Sequence, residues 1–239
     1  MSAWLEEDRA PLILVADDNE EVRSSIEDLL RSVGLETAGF GSARELLGSG
    51  LLERSSSLIL DVRMPGASGL DLQQQLSEAG IFKPIIFVTG YGDISMSVQA
   101  MKAGAVDFLT KPFREQTLLD AVRSGIERDK AQRADARIVE NQVERFSSLT
   151  PREVQVMRDV ALGRLNKQIA YELGISEITV KLHRGNVMRK MGASTIGELI
   201  RAWELLPADF RDRYSAVADS SPAARPAGSH LKLLVGRST

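Results

Sequence analysis

Three aspartates, a threonine and a lysine carry the chemistry this sequence makes available. Asp17 and Asp18 follow the apolar run LILVA, Asp61 follows LIL, Thr89 follows PIIFV, and Lys111 follows the run over residues 105–109. Each run has the length and composition of a short buried strand, and Pro65, Gly66 and Gly69 mark a loop after Asp61. In a parallel sheet all five polar side chains gather at the carboxyl edge, where open α/β folds keep their sites. Three carboxylates in one place repel one another unless a cation joins them, and an all-oxygen set with few protein ligands suits Mg2+. Lys111 adds a fixed positive charge and Thr89 a hydroxyl donor, a pair able to hold the oxygens of a phosphoryl group. A lone aspartate at one strand end is ordinarily a solvated loop cap. The same set at four strand ends is a site.

The elements that must position these residues alternate between strand and helix. After the strand over 12–16, residues 20–33 carry Val22, Ile26, Leu29, Leu30 and Val33 at helical spacing, with Asn19 as cap and Gly34 as stop. A strand over 35–40 and a short helix over 43–47 precede the strand that ends at Asp61. Helices over 70–78 and 94–103, strands over 84–88 and 105–109, and a helix from 115 complete the series. Five strands alternating with five helices imply a doubly wound, five-stranded parallel sheet, because parallel strands need crossover connections.

The DD pair at Asp17 and Asp18, DVRMPG from Asp61, TG at Thr89 and KPF at Lys111 resemble, in order and approximate spacing, the receiver domain of two-component response regulators. The resemblance covers residues 11–127 and implies a flavodoxin-like fold. It implies that Asp61 is the phosphoacceptor for a sensor histidine kinase, with Lys111 pairing with the phosphoryl oxygens. Mg2+ would be held by Asp17, Asp18, Asp61 and the backbone carbonyl of Arg63, and the Lys111–Pro112 bond is expected to be cis. Thr89 and Phe108 would form a switch, although Phe108 also reads as a core residue of the fifth strand. Tyr91 and Gly92 fall in the loop beside the site, and the segment over 94–122 would be the face that dimerises on phosphorylation. MKAGAVDFLTKPF, from Met101, resembles the FixJ-like subgroup. Such a domain is an acceptor that modifies itself once per cycle and is not an enzyme.

Length and composition fit this outline. The 239 residues, 43% apolar and 26% charged, suffice for two soluble domains. No apolar run approaches the ~18 residues of a membrane span, so a cytoplasmic protein with no membrane partner is expected. Absent cysteine excludes disulfides and thiolate chemistry, and two histidines leave little for a histidine metal cluster. Residues 1–124 carry a net charge of −8 and residues 149–206 one of +3, which points to an anionic partner for the second half. Between them, 128–147 reads as a helical linker. Its charged run ERDKAQRADAR favours a solvent-exposed helix, and Ile138, Val139, Val143 and Phe146 leave open whether it packs on a partner chain or serves as a spacer.

Residues 148–206 show four short helices. Thr150, Pro151 and Glu153 form a capping box with proline at the first helical position, Gly163, Gly174 and Gly192 act as stops, and Ser176 and Ser194 open helices. Ile169, Leu173, Ile178, Val180, Val187 and Met191 are the expected core, joined by Val154, Met157, Ile196, Leu199 and Trp203. The short turn from Gly174 to Ser176 makes a helix-turn-helix whose second helix bears Lys181, His183, Arg184, Arg189 and Lys190. LTPRE, GRLNKQIAYELGIS and TVKLHRGNVMRKM closely resemble the LuxR-type helix-turn-helix of the FixJ/NarL class. The resemblance implies that Thr179, Val180, Lys181 and Arg184 face the major groove, with His183 beside them. Lys167, Arg189 and Lys190 are expected at phosphates. Residues 1–10 read as an arm and 207–239 as a disordered tail, SSPAARPAGS being poor in apolar residues.

The whole reads as a transcriptional activator that binds promoter DNA as a homodimer when phosphorylated, with RNA polymerase as a further partner. Two alternatives are a phosphatase-like enzyme with an aspartyl nucleophile and a dimerising DNA-binding protein that ignores phosphorylation. The first lacks a second carboxylate two positions after Asp61, where Arg63 stands. The second leaves the acidic set without a purpose.

Overall fold

The computed structural model describes residues 10–90 and 92–220. Most of the expected N-terminal arm (residues 1–9), Tyr91 of the loop beside the site, and the expected tail beyond residue 220 lie outside the described residues. The chain divides into two compact units between Arg133 and Ala134.

In the first unit β1 (Leu12–Ala16), α1 (Glu20–Ser32), β2 (Glu36–Phe40), α2 (Ala43–Gly48), β3 (Ser57–Leu60), α3 (Gly69–Glu78), β4 (Ile85–Thr89), α4 (Ile94–Lys102) and β5 (Asp107–Thr110) alternate before α5 (Glu115–Ser147) begins. The strands are all parallel and ordered β2-β1-β3-β4-β5. Alternate residues of each strand enter opposite layers. Leu14, Leu58, Leu60 and Phe87 pack on one face with Leu46, Leu72 and Ala100, while Ile13, Val15, Ile59 and Ile86 pack on the other with Leu30, Leu118 and Val122. Burial on both faces explains why the inner strands read as continuous apolar runs.

α5 differs from expectation. Its charged stretch over 127–137 is not simply solvated, because Asp129 is only 4% exposed. Asp129 pairs with Arg133 Nε at 2.6 Å and Lys83 Nζ at 3.6 Å. Lys83 donates to the carbonyls of Glu53 and Ser55 at 2.9 and 2.7 Å, and Arg133 Nη2 reaches those of Glu53, Arg54 and Ser55 at 2.9, 3.3 and 2.9 Å. Burial pushes the Lys83 ammonium below its ordinary pKa; Asp129 opposes that shift and Arg133 adds to it. Gly125 permits the close approach, since a Cβ there would stand 2.8 Å from Ser57 Oγ.

The second unit holds the end of α5, then α6 (Pro151–Ala161), α7 (Asn166–Leu173), α8 (Glu177–Met191), α9 (Ile196–Glu204) and α10 (Ala208–Ser220). The last helix corrects the expectation of a four-helix domain followed by disorder from residue 207. Phe210 is buried and Tyr214 partly so, one turn apart, and both rings meet Phe146 at 5.7 and 5.5 Å between centroids. Trp203 closes the cluster 5.9 Å from Phe146. Phe146 therefore lies in this unit's core rather than on a linker surface. Two expected core residues, Ile178 and Ile196, are exposed instead. Ile178 precedes the inward-facing Val180 by two positions, which on a helix turns it to the far side. Thr195 rather than Ser194 caps α9, and Ser194 bonds the Glu198 carboxylate.

Thr150 and Glu153 form the expected reciprocal cap at α6. Glu153 is buried and also receives Lys190 Nζ at 2.6 Å. Burial raises its pKa, but the hydrogen bonds from Lys190 and from the Thr150 N–H and hydroxyl outweigh that and hold it below the usual carboxylate range. Its contribution to stability is thus complete above the unfolded-state pKa and is lost as pH falls through the lower folded-state value. Glu153→Gln should cost about 1–3 kcal/mol at pH 7 in urea unfolding of the second unit. The difference from wild type should shrink below about pH 4; a cost independent of pH would refute the charged role.

Candidate functional site

The strand order brings the ends of β1 and β3 side by side, and the Asp61 N–H donates to the Ala16 carbonyl at 2.8 Å. Across the sheet, the Lys111 N–H donates to the Thr89 carbonyl at 2.8 Å. Asp17 is 2% exposed, Asp61 8%, Asp18 lies open to water, and Thr89 is fully buried at the end of β4. Oxygens of Asp17, Asp18 and Asp61 lie within 4.8 Å of one another. Lys111 Nζ stands 2.5 Å from Asp17 Oδ2 and 3.3 Å from Asp61 Oδ2. The structure therefore gathers the side chains of Asp17, Asp18, Asp61 and Lys111, with Thr89 at the adjoining end of β4, and the Lys111–Pro112 bond is cis as expected.

Burial and neighbouring charges act against one another in the pocket. Burial raises the pKa of Asp17; Lys111 and the Asn19 N–H pull it down, the Asp61 charge pushes it up again, and the net shift is upward. One ammonium thus leaves the buried carboxylate short of compensation. Three convergent carboxylates with no nitrogen or sulfur donor fit a hard divalent cation such as Mg2+. The Arg63 N–H donates to Asp61 Oδ1 at 3.2 Å and steadies that carboxylate. Gly69 opens α3 so close that a Cβ would run into the Asp61 carbonyl and stand 3.1 Å from the Phe87 ring. Phe108 is partly buried, with its ring centroid 6.0 Å from that of Phe87. A Cβ on Gly92 would lie 2.7 Å from the Phe108 ring.

On the second unit, Gly174 takes the left-handed conformation at φ 63° and lets α7 turn into α8, which Ser176 caps. Val180, Val187 and Met191 point into the core, so Val180, expected at the groove, is excluded from it. The opposite stripe presents Ile178, Lys181, Leu182, Gly185 and Arg189. Leu182, 64% exposed, was not singled out from the sequence, because a leucine on an amphipathic helix reads as core. Thr179 lies at the cap, its hydroxyl 2.9 Å from that of Ser176. His183 is partly buried, Lys167 is exposed, and Arg184 Nη1 donates to Asn166 Oδ1 at 2.5 Å. Lys190, expected at a phosphate, is drawn instead to Glu153 and to the Ser148 carbonyl at 3.0 Å.

A buried charge short of compensation has a measurable consequence. Asp17→Asn should stabilise the first unit by about 1 kcal/mol in urea without divalent cation. The same change should remove the stabilisation that Mg2+ gives wild type. Loss of stability without the cation would show that the Lys111 bond outweighs burial.

The chain matches known proteins along most of its described length. Residues 13–123 match the response regulator receiver domain family, and residues 147–203 match the luxR family of bacterial regulatory proteins. It is 54% identical over 195 residues to nodulation protein W of Bradyrhizobium diazoefficiens, covering 82% of this chain and 86% of that one. It is 50% identical to the response regulator protein TodT of Pseudomonas putida, covering 83% and 88%. The solved structure of the response regulator StyR matches with a TM-score of 0.71 at 47% identity, covering 82% of this chain and 99% of that one. A receiver pocket followed by a luxR-type helix-turn-helix, at this level of identity, settles the family: the chain belongs to the response regulators that join a receiver domain to a luxR-type DNA-binding domain.

Proposed function

We propose that Asp61 accepts a phosphoryl group from a sensor histidine kinase and that phosphorylation controls promoter binding by the second unit. The observation that carries this reading is the convergence of Asp17, Asp18, Asp61 and Lys111 on one pocket. An Asp61 carboxylate oxygen attacks phosphorus while the bond to the kinase's histidine nitrogen breaks, and the imidazole leaves with that electron pair. Lys111 shifts from the carboxylates to the phosphoryl oxygens, the Arg63 N–H keeps Asp61 oriented, and the Thr89 hydroxyl donates to the incoming group. Asp17, Asp18, Asp61 and the Arg63 carbonyl would hold Mg2+, which would supply positive charge to offset the negative charge on those oxygens. Thr89 moving toward the phosphoryl group leaves space that Phe108 fills.

α4 supports a dimer as the output. Ile94, Val98 and Met101 form one exposed apolar stripe along it, a surface that a second copy would cover. Two joined DNA-binding units gain avidity over one. Lys181 and Leu182 of α8 contact base edges in this reading, with Lys167 and Arg189 at phosphates, and the exposure of all four side chains supports it. FixJ of Rhizobium meliloti, a transcriptional regulatory protein 40% identical over 187 residues, supports a role in transcription, with RNA polymerase as the further partner of an activator. No helix among the described residues is long and apolar enough to cross a membrane. Promoter DNA as a partner supports a cytoplasmic location.

Sedimentation with Mg2+, with and without beryllofluoride as phosphoryl mimic, tests the control. Wild type should shift from monomer to dimer and Asp61→Asn should not; a shift in both, or in neither when the mimic is bound, would overturn it. For DNA, Lys181→Ala should weaken specific binding about tenfold or more. Lys167→Ala should weaken all sequences alike and lower the salt slope by about one. Equal effects of the two changes on specificity would overturn the assignment of roles.

A further inference from the structure

Arg23, in the second turn of α1, reaches back toward the acidic pocket, and its Nη1 donates to the backbone carbonyl of Asp17 at 2.6 Å. That carbonyl belongs to the peptide joining Asp17 to Asp18, so this charge-assisted bond fixes the plane from which both side chains leave. The other groups of the turn are also held. The Asp17 N–H donates to the Phe40 carbonyl at 3.1 Å, and Asp17 Oδ1 accepts from the Asn19 N–H at 3.0 Å. Asp18 is different: it is exposed, and its carboxylate is repelled by those of Asp17 and Asp61. A turn free to rotate would let Asp18 swing into water and open the cluster.

A second observation concerns β2. Gly39 pairs in register with Val15 of β1, and a Cβ on it would stand 3.0 Å from Arg23 Cδ and run into the Glu27 carboxylate. Glycine inside a strand weakens it and marks a close approach. Here the missing side chain leaves the lane along which the Arg23 stem passes.

We propose that Arg23, given room by Gly39, is a positioning residue for the divalent-cation site: it holds the Asp17–Asp18 peptide so that both carboxylates face Asp61. This rests on reading the acidic cluster as a cation site. Arg23 itself touches neither the cation nor the phosphoryl group.

The test is calorimetric titration of Mg2+ into the full chain, as wild type, Arg23→Ala, Arg23→Lys and Gly39→Val, with urea unfolding of each protein without Mg2+. Arg23→Ala should weaken Mg2+ binding about tenfold or more. Arg23→Lys, whose ammonium can still donate to the carbonyl, should restore most of the affinity. Gly39→Val should weaken binding in the same direction. With acetyl phosphate as a small donor, the Mg2+ concentration for half-maximal labelling of Arg23→Ala should rise more than its saturated rate falls. Wild-type affinity in Arg23→Ala would overturn the proposal. So would a loss that tracks lowered stability and is not restored by lysine. Failure of wild type to take up Mg2+ would instead remove the cation site itself, a separate outcome that the first titration reveals.

Discussion

Asp17 sits almost wholly out of water beside the Asp61 carboxylate, with the Lys111 ammonium reaching both, and the rest of the first unit is arranged around that placement. Burying a carboxylate beside another is unfavourable, and one lysine offsets only part of the cost. The sheet order imposes the arrangement by making β1 and β3 neighbours, while the lysine just after β5, two strands from β3 and three from β1, has a side chain long enough to reach back. Gly69 shows how tightly the surroundings close, because α3 starts against the Asp61 carbonyl itself.

Charged residues elsewhere divide into those consumed by the fold and those left for a partner. Asp129, Lys83 and Arg133 form a closed set whose donors saturate the carbonyls ahead of β3. Lys190 is likewise used on Glu153 and the α6 cap, and Arg184 on Asn166. Lys167, Lys181 and Arg189 remain at the surface of the second unit. The division follows geometry: cations on inward-leaning sides of a helix find buried carboxylates or backbone carbonyls, whereas Arg189 on the outer stripe has only a long 3.5 Å bond to the Asn186 side chain. A basic helix read as a string overstates the surface available to DNA.

The acidic pocket was legible before the fold because each residue stands at the end of an apolar run, and runs of that length admit few other readings. The glycine stops and the Thr150–Glu153 cap were legible for the same reason, being local rules satisfied by neighbours in the chain. Asp129 was not legible, since its partners Lys83 and the carbonyls of 53–55 lie far away in sequence. α10 was missed because Phe210 and Tyr214 make too short an apolar pattern to outweigh a polar, proline-rich neighbourhood; only Phe146 and Trp203 give them something to pack on. Arg23 carried no sign at all of a bond to a backbone carbonyl.

By itself the sequence determined the alternation of elements, the parallel sheet, the gathering of Asp17, Asp18, Asp61, Thr89 and Lys111 at one edge, and the helix-turn-helix, because periodicity and capping act over a few residues. Tertiary structure decided which face of α8 is free, turning Val180 in and Ile178 out, and which cations are already paired. It also decided that Phe146 belongs to a core rather than a linker surface and that residues 208–220 form a helix. The physical reason is range: hydrogen bonds within a turn of helix are encoded by adjacent residues. Burial and ion pairing depend on segments that only folding brings together.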